Sequence, residues 1–205
     1  MLYVWSADVY GAVRDKEFPI VESYPLRPRT PYGVSKAAAE LLCYQWTQDQ
    51  GFDIVMTRPF NHIGPGQAEH FVVADFAKQV TEIRLSRRDA VIKVGAIDVT
   101  RDFTDVSDVA LAYLALLARG VTGEIYNVCS GREYRIREVL EALIRQAGIK
   151  CKMVEDHARL RVVERKQNLG SFDKQGKRTA WRPRIAMKDS LRDVLAYWDK
   201  KLVTE

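Results

Sequence analysis

The sequence predicts an α/β protein built on an incomplete parallel sheet. Short β-branched and aromatic runs alternate with longer helical patterns along most of the 205 residues. Capping residues mark several of the helix ends, and no repeat or low-complexity linker interrupts the alternation. A regular succession of strand, helix and strand is typical of parallel sheets, in which each helix returns the chain to the same edge.

The first part of the chain predicts one strand–helix–strand unit. A strand over residues 2–5 ends at Ser6-Ala7, and a loop with three prolines follows. Thr30 is suited to the N-cap of a helix with Pro31 at its first position, and Gly51 to the residue after its end. Residues 54–56 predict the next strand, which we expect to break at Arg58-Pro59 because proline cannot donate to a ladder.

The remainder predicts further elements of both types. We expect helices over residues 72–87, 106–119, 136–147 and 190–200, the third ending at Gly148. Strands are expected over 91–94, 124–128 and 151–154.

Composition favours a globular protein without a metal site or a membrane span. Hydrophobic residues make up 47% and charged residues 29% of the chain, and no apolar run reaches the ~18–20 residues of a membrane helix. The N-terminus does not resemble a secretory signal. The three cysteines and three histidines lack ligand spacing, which predicts free thiols in the cytoplasm and no metal.

Basic residues are concentrated near the C-terminus. Ten basic and two acidic residues lie between Arg159 and Lys188, although the net charge of the whole chain is only +5. Such a field suits a phosphate-bearing ligand, and a solvated basic face explains it equally well. The segment contains two aromatic residues, Phe172 and Trp181, and no recognised nucleic-acid-binding motif, so we expect no nucleic-acid partner.

A possible catalytic pair lies at the start of the first helix. Tyr32 and Lys36 are four residues apart, which places both side chains on one helix face. An ammonium group beside a phenol favours the phenolate, so the phenol can exchange the proton that accompanies hydride transfer. Taken alone, the spacing fits ordinary surface packing as well.

Two further segments strengthen that interpretation. Ser6 follows the first strand, and Arg58-Pro59-Phe60-Asn61-His62-Ile63-Gly64-Pro65-Gly66 follows the second. Carboxyl ends of parallel strands form the usual ligand crevice of an α/β sheet. Three chain segments are therefore expected to converge on one site.

In this order the motifs resemble the extended short-chain dehydrogenases, the NAD(P)-dependent epimerase/dehydratase family. The matching strings are S-x-x-V-Y-G at Ser6, P-Y-x-x-x-K at Tyr32 and R-P-x-N-x-x-G-P-G at Arg58. The longer strings PFNHIGPGQ, FVVADFAKQ, VGAIDVTRDFTDVSDVA and IYNVCSGREYRIREVL are similar to members that reduce GDP-linked 4-keto-6-deoxy sugars. The resemblance extends from Leu2 to about Trp198.

The resemblance implies roles for particular residues. Ser6, Tyr32 and Lys36 would form the catalytic triad, and Tyr32, Lys36, Pro59 and His62 would contact the cofactor, NADP or NAD. Asn61 and Arg101 would bind the substrate, and Arg161 and Glu164 would contact its nucleotide. Trp5 departs from the family, which commonly has a small residue there, and Val162 replaces a usual proline.

The family's glycine-rich diphosphate-binding turn is absent from the sequence. No strand is followed by G-x-G-x-x-G, whose backbone N–H groups would meet the cofactor pyrophosphate. The resemblance implies four further βα units, roughly 110–120 residues. Without them, we expect the strands over 2–5 and 54–56 to expose a sheet edge and an uncovered apolar face.

The implied architecture is a Rossmann-type sheet with a smaller C-terminal α/β substrate-binding domain. Residues 1–61 and 101–129 would form the C-terminal part of the dinucleotide-binding domain, and 62–100 and 130–205 the nucleotide-sugar-binding domain. Relatives dimerise through the Tyr-x-x-x-Lys helix, so Leu41, Leu42 and Trp46 are expected either at a homodimer interface or buried within the monomer.

The function implied is NAD(P)H-dependent reduction of a GDP-linked 4-keto-6-deoxy sugar, as in GDP-rhamnose-type biosynthesis. The alternatives are a GDP-mannose 4,6-dehydratase, a sugar-nucleotide epimerase and, in another class, an inactive fragment or binding remnant. Dehydratases of the family resemble one another in carrying Glu two residues after the Ser/Thr. Asp8 stands there, which favours the reductase.

Overall fold

The computed structural model describes residues 1–159 and 166–204, which divide into two compact units. Unit 1 comprises residues 1–62, 102–133 and 168–184, and unit 2 comprises 63–101, 134–167 and 185–205. The predicted second domain included 168–184, whereas the contacts of this segment lie within unit 1. The functions assigned to the two domains stay predictions.

The strands and helices are numbered in chain order. The strands are β1 (Leu2–Val4), β2 (Val55–Pro59), β3 (Asn61–Ile63), β4 (Val91–Val94), β5 (Thr100–Asp105), β6 (Ile125–Val128), β7 (Glu133–Arg135) and β8 (Lys152–Glu155). The helices are α1 (Pro31–Asp49), α2 (Val72–Arg84), α3 (Val106–Arg119), α4 (Ile136–Ala147), α5 (Asp173–Thr179) and α6 (Met187–Thr204).

Unit 1 is built on a parallel sheet of order β1-β2-β6, which confirms the predicted fold class. Tyr3 lies opposite Met56, and Thr57 lies opposite Tyr126. The expected sheet edge lies at β1, where Tyr3 and Val4 are exposed, and the part of the expectation that placed it at residues 54–56 is wrong. β2 is the central strand, and all five of its residues are buried.

The expected break at Arg58-Pro59 is also wrong, because β2 continues through Pro59. Alternate N–H groups of β2 point to opposite neighbours: Val55 donates to the Met1 carbonyl and Met56 to the Glu124 carbonyl. By this alternation the nitrogen of Pro59 faces the β1 side, beyond Val4, where β1 has ended. The missing N–H of proline therefore breaks no ladder hydrogen bond.

Helices cover both faces of this sheet. On one side α1 contributes Cys43, which packs with Trp5, Ile54 and Met56. The opposite side is covered by α3, whose buried Val109, Ala112 and Leu116 pack against sheet residues and Trp181. The Thr30 hydroxyl accepts a hydrogen bond from Gly33 N–H at 3.0 Å, and Gly51 follows α1 with φ +68°, as the capping pattern predicts.

Unit 2 combines the parallel pair β4-β8 with helices α2, α4 and α6, which pack on one another. Burial in α4 follows the helical period, with Ile136, Val139, Leu140 and Leu143 inside. Gly148 ends α4 in the left-handed region at φ +66°, as predicted.

The elements that the sequence failed to predict are short or polar: β3, β5, β7 and α5. The three strands pair in the order β3-β5-β7. Asp102, Thr104 and Asp105 are buried within β5, and these polar residues hide the apolar alternation that marks a strand. Within the described residues, no helix has the length and apolar character needed to span a membrane.

Candidate active site

The carboxyl ends of β1 and β2 bring two of the predicted motifs to one edge of unit 1. Trp5 N–H donates to the Thr57 carbonyl, so Ser6 leaves β1 beside the last residues of β2. Pro59 is the buried end of β2, and Asn61 and His62 follow it with exposed side chains. This edge is where ligands bind in open parallel sheets.

Ser6 caps a short 3₁₀ helix, Ala7–Tyr10, which we call the Ser6 turn. Its Oγ accepts a hydrogen bond from Asp8 N–H at 3.1 Å, which fixes the hydroxyl at the strand end. Gly11 ends the turn with φ +61°, and a Cβ added there would lie 1.5 Å from the Arg27 carbonyl oxygen. Only glycine fits this position, which explains the V-Y-G string.

The first two turns of α1 hold the Tyr-x-x-x-Lys pair. Tyr32 is 52% exposed, and the Lys36 Nζ lies 5.5 Å from the centroid of its ring. Between them Gly33 packs against the Ser6 turn, since an added Cβ would lie 2.9 Å from the Asp8 carbonyl oxygen. The structure therefore brings the Tyr32 turn of α1 against the turn that Ser6 caps.

Other predicted ligand-binding residues lie elsewhere. Arg101 is in unit 2, half-buried on β5, where its guanidinium donates to the Thr100 carbonyl at 2.7 Å. Arg161, Glu164 and the departure at Val162 lie outside the described residues. Trp5 is 3% exposed and packs in the core beneath α1, stacked on Tyr3 with ring centroids 4.1 Å apart.

Asp102 organises a loop that the sequence did not single out. Its carboxylate accepts from Ser130 N–H at 2.8 Å, Ser130 Oγ–H at 2.6 Å, Gly131 N–H at 3.0 Å and Gly170 N–H at 3.2 Å. Burial raises the pKa of Asp102, although these four hydrogen bonds favour the carboxylate. The carboxylate thereby fixes the backbone just beyond the carboxyl end of β6. The signal available in the sequence was an acidic residue next to Phe103 in the run Thr100-Arg101-Asp102-Phe103-Thr104.

A buried ion pair lies under the site and was also missed. Arg58 binds Glu40 and Tyr10, and both side chains of the Arg58–Glu40 pair are 4% exposed. Burial opposes the charge on Arg58, but its hydrogen bonds with Glu40 hold the pKa of the guanidinium above its ordinary value. For Tyr10, burial raises the pKa of the hydroxyl, because it disfavours the charged phenolate. The signal in the sequence was Glu40 within the apolar run Ala37-Ala38-Ala39-Glu40-Leu41-Leu42.

The described residues contain no group of three or more His, Cys, Asp or Glu side chains that could hold a metal ion. Cys43 and Cys129 are buried and Cys151 is half-buried, and all three are free thiols. Burial raises the pKa of each thiol. Groups held in the thiol form are poor nucleophiles, so these cysteines are poor candidates for catalysis.

A serine at a strand end beside a helix that carries Tyr-x-x-x-Lys defines the catalytic part of a short-chain dehydrogenase/reductase. The chain belongs to the epimerase/dehydratase family of that class: the family model for GDP-mannose 4,6 dehydratases matches residues 1–194.

Relatives of known activity are reductases, dehydratases and epimerases. The chain is 45% identical over 204 residues to GDP-6-deoxy-D-mannose reductase of Pseudomonas aeruginosa, with 100% of this chain and 67% of the relative covered. It is 29% identical to dTDP-D-glucose 4,6-dehydratase of Bos taurus, of which it spans 55%, with 96% of this chain covered.

Solved structures agree with these relationships. The structure of RMD from Pseudomonas aeruginosa complexed with NADPH superimposes with a TM-score of 0.94 at 44% identity, covering 98% of this chain and 66% of that one. UDP-glucose 4-epimerase of Thermus thermophilus in complex with NAD gives a TM-score of 0.83 at 28% identity, covering 96% and 63%. The chain thus spans 55–67% of the length of these relatives and structures.

Proposed function

We propose that this chain carries the catalytic residues of an NAD(P)H-dependent reductase of a GDP-linked 4-keto-6-deoxy sugar. The observation that carries the proposal is the exposed Tyr32 beside Lys36, on the helix turn that packs against the Ser6 turn. The 45% identity to GDP-6-deoxy-D-mannose reductase supports the choice of substrate class. Asp8, in place of the glutamate typical of the dehydratases, supports reduction over dehydration.

Tyr32 acts as the general acid in this proposal. A bound reduced nicotinamide supplies the hydride that reduces the C4 carbonyl carbon of the sugar. Tyr32 donates its phenolic proton to the carbonyl oxygen, so that the ketone becomes a secondary alcohol. Ser6 donates a hydrogen bond to the same oxygen, and the Lys36 ammonium stabilises the phenolate that remains until a proton returns from water.

The described residues fit the nicotinamide end of the cofactor. Tyr32 and Lys36 lie on α1 at the carboxyl edge of the sheet, and Pro59 and His62 lie at the end of the neighbouring strand. The 205 residues contain no G-x-G-x-x-G string for the diphosphate. We therefore assign to this chain the nicotinamide and sugar side of the site, with NADPH as the first cofactor to test.

Substrate binding is assigned to polar residues. We propose that Asn61 and Arg101 contact the sugar nucleotide, with Arg161 and Glu164 on its nucleotide moiety. Arginine suits a diphosphate because its planar fork pairs with two oxygens at once. The basic segment between Arg159 and Lys188 would attract this dianion.

Replacing Tyr32 with Phe tests the proposed reaction. We expect turnover of GDP-4-keto-6-deoxymannose, followed by NADPH oxidation at 340 nm, to fall roughly 10²–10⁴-fold because the proton donor is lost. Binding of GDP, measured by calorimetry, should stay unchanged. Tyr44→Phe is the matched control, since Tyr44 lies on the same helix and is 50% exposed.

The same measurements distinguish the alternatives. Conversion of GDP-mannose without net NADPH consumption would show a dehydratase if the product has lost one water, and an epimerase if its mass is unchanged. Saturable GDP binding without NADPH binding would show a sugar-nucleotide binding protein, and binding of neither would show an inactive remnant. Turnover by Tyr32→Phe equal to that of the unmodified chain would contradict the proposed role of Tyr32.

We further propose that the protein acts in the cytoplasm as a homodimer formed through α1. Free cysteines support a reducing compartment. Leu41, Leu42 and Trp46 are 62%, 48% and 38% exposed. Burial within the monomer, the other expectation for these residues, is therefore wrong for the described chain, and three large apolar side chains exposed on one helix favour a partner.

A further inference from the structure

One buried arginine contacts every segment that carries a predicted catalytic residue of unit 1. Arg58 Nε donates to Glu40 Oε2 at 2.8 Å, and its Nη2 donates to Glu40 Oε1 at 2.5 Å. This is the two-bond fork geometry in which arginine binds a carboxylate with the greatest directional restraint. Both groups lie in the protein interior, so solvent does not loosen the pair.

The third nitrogen of the guanidinium points toward the Ser6 turn. Nη1 donates to the Tyr10 hydroxyl at 2.9 Å and to the Glu22 carbonyl at 3.0 Å. The Tyr10 hydroxyl in turn donates to Asn127 Oδ1 at 2.6 Å. Arg58 therefore makes four hydrogen bonds, and each of its nitrogens has a partner.

The partners of Arg58 stand in a fixed relation to the predicted triad. Glu40 is one helical turn beyond Lys36 and two turns beyond Tyr32 on α1. Tyr10 is the last residue of the Ser6 turn. Arg58 itself immediately precedes Pro59 on β2. One side chain thus joins the Tyr32–Lys36 helix, the Ser6 turn and the end of the neighbouring strand.

A buried ion pair contributes little net free energy to the stability of the fold. Desolvation of both charges offsets most of their attraction, and an apolar pair of similar volume is often as stable. Such a pair instead restrains the relative position of its two side chains, because a fork that binds both carboxylate oxygens tolerates little displacement. The contact between Gly33 and the Asp8 carbonyl shows that the same two elements also meet closely at the active-site end.

We propose that Arg58 is a positioning residue that fixes the Tyr32–Lys36 turns of α1 against the Ser6 turn by binding Glu40 and Tyr10 together. This inference rests on the proposed reductase function. It assigns Arg58 no contact with the substrate. Its effect is to hold the proton donor of Tyr32 at the oxygen that Ser6 binds.

Replacing the pair in two steps separates its effect on the positions of the catalytic groups, measured by kcat, from its effect on stability, measured by Tm. Glu40→Leu alone leaves the Arg58 charge buried without its counter-ion and should lower Tm strongly. Adding Arg58→Met makes the pair apolar and should restore most of the Tm. In the double variant kcat should still fall about 10–100-fold, with KM changed less than about threefold, because misplaced catalytic groups slow the chemical step.

Arg137 and Asp98 provide the matched control. They form the same fork in unit 2, with Arg137 Nε and Nη2 at 3.0 and 2.9 Å from the two Asp98 carboxylate oxygens, but both are exposed. Arg137→Met with Asp98→Leu should leave kcat and KM unchanged. Arg58→Lys keeps the buried charge but cannot bridge both partners, and it should lower kcat even if the double variant fails to fold.

Wild-type kcat in the Arg58→Met/Glu40→Leu variant, or in Arg58→Lys if the double variant does not fold, would overturn the inference. If the unmodified chain has no reductase activity, the proposed function fails and amide hydrogen exchange decides the inference. The inference would be supported if amide exchange in residues 6–11 and 31–36 is at least tenfold faster in the variant than in the unmodified chain, with exchange in α3 as the internal reference. Unchanged exchange there would overturn it.

Discussion

Two buried tryptophans of unit 1 differ in whether the indole N–H is hydrogen-bonded. Trp181 Nε1 donates to the Asp108 carbonyl at 3.0 Å, whereas the buried Trp5 Nε1 has no hydrogen-bond partner among the described residues. An orphaned buried donor costs free energy comparable to a lost hydrogen bond. Trp5 therefore contributes packing against Cys43 and Met56 but carries a polar group that its surroundings do not satisfy.

Replacing each tryptophan with Phe should reveal this difference. Trp181→Phe removes a satisfied bond and leaves the Asp108 carbonyl without that donor, whereas Trp5→Phe removes the orphaned donor. We expect Trp5→Phe to destabilise the protein less than Trp181→Phe by about 1–3 kcal/mol, measured by urea unfolding. Equal losses, or a larger loss for Trp5→Phe, would show that the lost ring volume dominates.

At the scale of the element, the first turn of α1 carries both the helix cap and the predicted catalytic residue Tyr32. Thr30 Oγ1 accepts from Gly33 N–H, and the same first turn presents Tyr32 to solvent. Near the other end of α1, the Thr47 hydroxyl donates back to the Tyr44 carbonyl at 2.6 Å. The two hydroxyls therefore differ in function. Thr30 accepts from a backbone N–H that the helix leaves unpaired, whereas Thr47 donates to a backbone carbonyl within the helix.

Thr30→Ala should lower the free energy of unfolding by roughly 1 kcal/mol because the cap is lost. Thr47→Ala should change stability by less than about 0.5 kcal/mol, since the carbonyl it binds keeps its helical partner and alanine favours the helix. Urea titrations followed by circular dichroism compare the two. A loss for Thr47→Ala as large as that for Thr30→Ala would refute the capping role.

For the whole molecule, the exposed apolar side chains of unit 1 mark the surfaces open to association. The outer face of α1 exposes Leu41 and Trp46, and α3 exposes Leu111, Leu114 and Leu117. Singly exposed apolar residues are ordinary, but rows of them on one helix indicate contact surfaces. Of the two helices, only α1 carries the Tyr-x-x-x-Lys motif.

Leu41→Glu tests whether α1 forms the homodimer interface. We expect the unmodified chain to be a dimer by light scattering and Leu41→Glu to be a monomer, because burying a carboxylate in an apolar interface is costly. Leu114→Glu is the control, since Leu114 is 62% exposed, as is Leu41, but lies on α3. A monomeric unmodified chain, or a dimer that survives Leu41→Glu, would exclude this interface.

Local sequence patterns were sufficient for most elements of the fold. Apolar periodicity and caps predicted α3, α4 and β4 with their observed bounds, and the Thr30 and Gly51 signals predicted both ends of α1. The strings around Ser6 and Tyr32 predicted which residues would meet, since strand polarity and helix period depend only on near neighbours in the chain.

The sequence by itself determined the α/β class, the parallel sheet and the family to which the chain belongs. Only the tertiary structure decided that β2 is central, that Arg58 is buried and that Leu41 is exposed. These outcomes depend on partners distant in sequence: Arg58 is neutralised by Glu40, 18 residues away, and oriented by Tyr10, 48 residues away. Local pattern cannot encode such pairs, because burial of a charge becomes favourable only where folding supplies its counterpart.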